Sequence, residues 1–265
     1  MPVPTFDDPA PYRSHIPRPS VLNWLTLVTF VVLVVVQVLY WPLLGFLLPS
    51  ITVAVATPFL AFVPAGVIVR LLRKKELSRW SSAHGFAVRD KPGWAIPALP
   101  IAPFTIARAR RKKVRTGMIG QVGAFPAWYI FYTWVNNNWL QVSTHYRNVF
   151  ALKLPKALPP LTIGPTISTE AGSTVAFESI DFNTYWSVTC PDPTFAKAAI
   201  TPVTMDRLLA LDLPLTATTR IAIVGNELVA ISISGTRGTD ITRMYSALRI
   251  VAEGISPYVW QEYGQ

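Results

Sequence analysis

The sequence predicts an α+β protein in which an N-terminal two-helix transmembrane hairpin is followed by a soluble antiparallel sheet with packed helices. Three observations predict it. No residue from Val21 to Val69 carries a charge. After Asn136 the apolar pattern changes to strict alternation, the period of a half-buried strand. Further on, strand-like and helix-like segments come in groups instead of alternating, which favours helices packed on an antiparallel sheet over a βαβ order.

The composition agrees with lipid contact, since 51% of the chain is apolar and only 14% is charged, against roughly 25% charged in soluble domains. Residues 1–20 are Pro-rich, balanced in charge and read as a disordered tail. The uncharged stretch would extend roughly 73 Å as a helix, while a bilayer's hydrocarbon core is about 30 Å thick. Two spans are therefore expected, at about 22–44 and 51–71 of a hairpin covering 21–72. The break falls between Pro42 and Pro49, where Gly45 and Ser50 suit a turn and Tyr40 and Trp41 suit an interface. A cleaved signal peptide is the competing reading. The long apolar stretch and the lack of a basic leader argue against it. Pro58 and Pro64 are expected to kink the second span, and Gln37 to hydrogen-bond between the helices.

Charge is concentrated beside the hairpin. Arg70–Arg115 holds thirteen Lys and Arg against Glu76 and Asp90, a net +11, whereas residues 116–265 hold nine basic and ten acidic groups. The basic pI thus belongs to one segment, read as a connector over 73–115. The positive-inside bias then places it, and both termini, on the cytoplasmic side of a plasma membrane. Arg73, Lys74, Lys75, Arg110, Arg111, Lys112 and Lys113 are its candidate membrane-surface residues, because such clusters attract anionic headgroups. No fold motif for nucleic acid accompanies them, and none is expected as a partner. Within the connector, Pro97, Pro100 and Pro103 exclude a regular helix and predict an extended strip whose apolar residues pack on a surface.

The α+β domain is expected over 116–265. Trp128, Tyr129, Phe131, Tyr132 and Trp134 read as one strand, Asn136–Asn138 as a turn, and the alternation Leu140, Val142, Thr144, Tyr146 as the partner strand. The alternative for Met118–Val135 is a third span, because residues 116–146 are also uncharged. Val149–Leu154 continues the strand to a break at Pro155, Pro159 and Pro160, and short strands follow at Val175–Glu178 and Tyr185–Thr189. Asp192-Pro193 and Thr201-Pro202 each pair a capping side chain with a first-turn proline, predicting two short helices with Phe195, Met205, Leu208 and Leu209 inward. Gly225-Asn226 between two apolar runs signals a hairpin turn. A last helix over about Ile241–Ala252 turns Ile241, Met244, Tyr245, Leu248 and Val251 inward and stops at Gly254.

The stretches RNVFALKLPKALPPLTIGP, FESIDFNTYWSVTCPDPTFAKAAITPVTMDRLLA and PYVWQEYG resemble a group of uncharacterised actinobacterial membrane proteins with a short apolar anchor ahead of a domain of this layout. The likeness covers roughly residues 76–265. It implies the architecture and a bacterial plasma membrane, and it supplies no activity and no functional residues.

Little in the sequence points to catalysis. His15, His84 and His145 lie in different segments without ligand spacing, and no phosphate-loop or dinucleotide fingerprint occurs, so no metal and no cofactor is expected. Glu178, Asp181 and Asn183 suit a turn, and Cys190, the one cysteine, suits a small buried position. The loop Ser234–Asp240 precedes the last helix and offers Gly235, Arg237 and Gly238 as a possible anion site, which Asp240 opposes by competing for the same amides. The leading expectation is a membrane-anchored interaction or scaffold module whose cytoplasmic domain binds a protein partner or the anionic membrane surface. The alternative is a membrane-tethered small-molecule sensor or enzyme with a pocket near 234–240.

Overall fold

Aromatic and β-branched residues recur throughout residues 109–165, and in the computed structural model this region is a set of long strands. The structure describes residues 71–72, 74–89, 96–107, 109–138, 141–166, 174–211, 213, 219–233 and 238–265. They fall in two compact units divided between Arg79 and Trp80. Of the first unit, residues 71, 72 and 74–79 are helical. The rest of the predicted hairpin lies outside the described residues, and among those residues no helix is long and apolar enough to cross a membrane.

The second unit is α+β, as the grouping of segments predicts. Its strands are β1 (Ala87–Arg89), β2 (Ala109–Val122), β3 (Phe125–Asn138), β4 (Gln141–Pro165), β5 (Thr174–Val175), β6 (Trp186–Thr189) and β7 (Arg220–Ser232). All pair antiparallel, in the order β1-β2-β3-β4-β6-β5 with β7 also on β4. The predicted β3–β4 hairpin is present, in register from Ala127↔Leu152 to Asn138↔Gln141, but Asn136–Asn138 are its last β3 residues and not its turn, because each pairs with β4. Met118–Val135 is therefore not a third helical span: it belongs to two paired strands joined at Gly123, whose φ of 57° suits glycine. Its aromatics alternate between faces as a sheet requires, and a helix would have mixed them.

Three other expectations change. The basic segment is not simply a connector, because Ala87–Arg89 and Ala109–Val122 are strands of the sheet. The prolines at 155, 159 and 160 do not end β4, which runs on to Pro165. Its pairing with β7 shifts register between Lys153 and Leu158 and again before Leu161, and such bulges tolerate residues that have no N–H to donate. Gly225 is likewise no hairpin turn. With φ 60° it bends the continuous β7 opposite Leu158, so the two strands change direction together.

Among its described residues, beyond the helical 80–83, are the helices α1 (Ile180–Tyr185), α2 (Pro193–Ala199), α3 (Pro202–Leu209), α4 (Gly238–Gly254) and α5 (Pro257–Glu262). Both predicted caps hold, with Asp192 accepting from the amides of Thr194 and Phe195, and Thr201 from that of Thr204. Replacing Asp192 with Ala is expected to cost about 1 kcal/mol and with Asn only a few tenths, read from urea midpoints. Phe195, Met205 and Leu208 are buried as predicted, whereas Leu209 is half-buried. The short helix α1, capped by Ser179, occupies what the sequence presents as a turn.

The sheet is covered on both faces. On one, α4 sets Tyr245 against Trp80, Phe86 and Phe150 with ring centroids 5.3–6.0 Å apart. On the other, Leu99, Ile101, Phe104 and Ile106 of the Pro-rich strip pack on Ile130, Tyr132, Trp134, Val149, Val229 and Ile231. The strip thus packs on the domain, as its apolar residues require, but it is not the extended segment expected: residues 102–105 form a turn in which the Phe104 amide donates to the Ile101 carbonyl at 3.0 Å.

Candidate functional site

The lengths of the strands create the most distinctive surface. β1 leaves β2 at Gly117, and β7 leaves β4 at Asn148. Beyond those points residues 109–116, 131–138 and 141–147 continue as a three-stranded extension. It carries Arg110, Arg111, Lys112, Lys113, Arg115 and Arg147 and not one Asp or Glu.

The cations of β2 owe their exposure to irregular pairing. Register shifts fall between Arg110 and Lys113 and between Val114 and Thr116, and Arg111 adopts φ 49°. Each shift adds a residue without a partner and turns the strand. Arg110, Arg111, Lys113 and Arg115 are exposed, while Lys112 is half-buried and donates from Nζ to the Phe104 carbonyl at 3.0 Å. Lys112 thus ties the strip to the sheet and contributes less to the surface than the sequence suggests. Among the described residues this part of β2 pairs on one side only, and lysines and arginines on such an edge also discourage pairing with another chain.

One face of the extension sets Lys113 opposite Thr133 and Thr133 opposite Tyr146. Tyr146 is 44% exposed and meets Phe131 at 5.8 Å, so cations stand beside an accessible aromatic. The opposite face is aromatic and polar. Tyr132 faces Arg147, Trp134 faces His145, and Asn136 faces Ser143. His145 stacks on Trp134 at 5.3 Å and accepts or donates a 2.9 Å bond with Ser143 Oγ, while the Arg147 guanidinium lies 5.4 Å from the Trp134 centroid. Burial lowers the Arg147 guanidinium and raises the Tyr132 phenol from their ordinary values.

The other candidates do not converge. Lys74 and Lys75 are exposed in the first unit, and Arg73 lies outside the described residues. Gly235 and Arg237 also lie outside them, while Gly238 opens α4 and is buried, with Asp240 in the same first turn. His84 stacks on Trp80 at 4.3 Å, and its Nδ1 lies 2.8 Å from the Trp80 carbonyl. Cys190 is buried with Sγ 3.4 Å from the Pro160 carbonyl, and burial raises its thiol, which suits packing rather than nucleophilic attack. Asn183 closes a turn by bonding both backbone groups of Phe177, while Glu178 and Asp181 point to solvent. Among the described residues no His, Cys, Asp and Glu cluster suits a metal.

Sequence reading found four of the six cations of the extension. It left out Arg115, the unpaired residue of the second register shift, and Arg147, whose place beside Trp134 depends on the cross-strand register. The alternation through His145 and Arg147 already put both on one face, and that was the available signal.

The fold and its surface define an antiparallel α+β domain with a basic, aromatic sheet extension. Among solved structures it is similar to the crystal structure of the mycobacterial trehalose monomycolate transport factor A, TtfA, at TM-score 0.39 and 10% identity, covering 67% of this chain and 95% of that one. No protein-family model matches the chain, and no curated protein matches it.

Proposed function

We propose that the chain is a membrane-anchored interaction module whose α+β domain rests on the anionic inner surface of a bacterial plasma membrane through the sheet extension. The carrying observation is the group of four exposed cations on β2, Arg110, Arg111, Lys113 and Arg115, on an extension that holds no carboxylate and shows an exposed tyrosine. Cations near an anionic leaflet contribute about 1 kcal/mol each, and tyrosine suits the headgroup region. The uncharged stretch Val21–Val69 and the +11 segment beyond it support an anchor that delivers this surface to the inner leaflet.

The direct test is flotation of residues 80–265 with phosphatidylglycerol vesicles and with phosphatidylcholine vesicles. Binding to the first alone is expected, and equal binding to both or to neither rejects the reading. Orientation has its own test, because two spans keep Gln265 in the cytoplasm. Alkaline phosphatase fused after Gln265 should be inactive there and a fluorescent protein bright. Strong phosphatase activity would put the domain outside and remove the inner leaflet as its partner.

A further inference from the structure

We propose that the face of the extension formed by Tyr132, Trp134 and Asn136 of β3 with Arg147 of β4 is a binding site for a phosphate group. Tyr132 is 0% and Trp134 2% exposed, yet the Tyr132 hydroxyl, the Trp134 Nε1 and the Asn136 Oδ1 are all buried without a hydrogen-bond partner. Buried polar groups are matched in the great majority of cases, and leaving one unmatched destabilises a fold. Here three occur at alternate residues of one strand, on one face. Packing does not require the Tyr132 hydroxyl, since phenylalanine would fill nearly the same volume against Phe104, whose ring centroid lies 5.0 Å away.

The neighbouring cation completes the pattern. Arg147 lies directly opposite Tyr132, gives one N–H to the Tyr146 carbonyl at 2.7 Å and rests over the Trp134 ring. Among the described residues no carboxylate pairs with it. A guanidinium has five N–H donors, so Arg147 retains donors for a ligand. The site therefore offers the Tyr132 hydroxyl, the Trp134 N–H and a guanidinium as donors, and Asn136 Oδ1 as acceptor. A phosphate that keeps one proton, as hydrogen phosphate or as the monoanion of a monoester, presents several acceptor oxygens and one O–H, which matches both kinds of group. An ionised carboxylate has two acceptor oxygens and no donor. Arg147 and His145 are half-buried against Trp134 and form the approach. On binding, the guanidinium moves from the ring face to the phosphate.

This site is independent of the exposed β2 cations, and its phosphate can belong to a soluble metabolite or to a lipid headgroup. The test is titration calorimetry of the full chain in detergent with inorganic phosphate, glycerol 3-phosphate, dihexanoyl phosphatidic acid and acetate. Binding of the phosphate compounds at least tenfold tighter than acetate is expected. Preference for the short-chain lipid over glycerol 3-phosphate assigns a headgroup, and equal affinity assigns a soluble ligand. Tyr132→Phe and Trp134→Phe each remove one hydrogen-bonding group and keep an aromatic ring. Each should weaken binding about tenfold or more, with Tyr132→Phe melting no lower than the parent. Arg147→Gln should weaken it further. Absence of phosphate binding, or parental affinity in both phenylalanine variants, overturns the site. The substitutions on β2 that test the membrane reading leave it in place, so the two can fail separately.

Discussion

Replacing Arg110, Arg111 and Lys113 together with Gln should weaken binding of residues 80–265 to phosphatidylglycerol vesicles about 100-fold. Three exposed cations at about 1 kcal/mol each amount to ~3 kcal/mol, and each 1.4 kcal/mol is tenfold in affinity. Lys112 is left in place because its bond to the Phe104 carbonyl holds the Pro-rich strip, and losing it would confuse a surface effect with a packing one. Binding of the parent should also fall steeply as salt rises, since the Debye length shortens from about 10 Å at 0.1 M to 3 Å at 1 M. Parental affinity in the triple variant would show that these arginines and the lysine serve only to protect a strand edge.

Tyr245→Ala should produce the largest loss of stability, about 3–5 kcal/mol, from the cavity it opens among Trp80, Phe86 and Phe150. Domains are stable by only about 5–15 kcal/mol, so a large part of the margin goes with this ring. Ile180→Ala, at a site 81% exposed, should stay within about 0.5 kcal/mol. Urea unfolding of residues 80–265 compares the two, and equal midpoints would mean that α4 is not the main cover of this face of the sheet.

The parts of the fold written in local chemistry were legible in advance. Asp192 and Thr201 cap as their Pro-containing contexts require, and α4 buries Ile241, Met244, Tyr245, Leu248 and Val251 at helical spacing. The β3–β4 hairpin followed from alternation. What depends on distant partners was not legible. Pro155, Pro159 and Pro160 look like a break, and only pairing with β7 shows that bulges absorb them. Gly225-Asn226 has the composition of a turn, yet β4 alongside keeps β7 extended through it. The basic run was read from its charge as a connector, while β3 supplies the pairing that makes it a strand. The candidate site was half visible for the same reason. The cations could be counted, but the row joining Tyr132, Trp134 and Arg147 exists only through register.

The 25 residues of β4 give the extension a mechanical character. From Asn148 to Ile163 this strand is bonded to β7 along one side, and up to Leu152 to β3 along the other, whereas, among the described residues, 141–147 pair with β3 alone. The arrangement is a cantilever, clamped over one part of its length and free over the rest. Load applied at the tip concentrates at the clamp, where the buried Asn148 side chain accepts from the Tyr129 hydroxyl at 2.8 Å and donates to the Ile233 carbonyl at 3.1 Å. Those two bonds reach β3 and the residue that follows β7 and brace the root, so a force on the tip is delivered to the whole sheet instead of peeling one hairpin away.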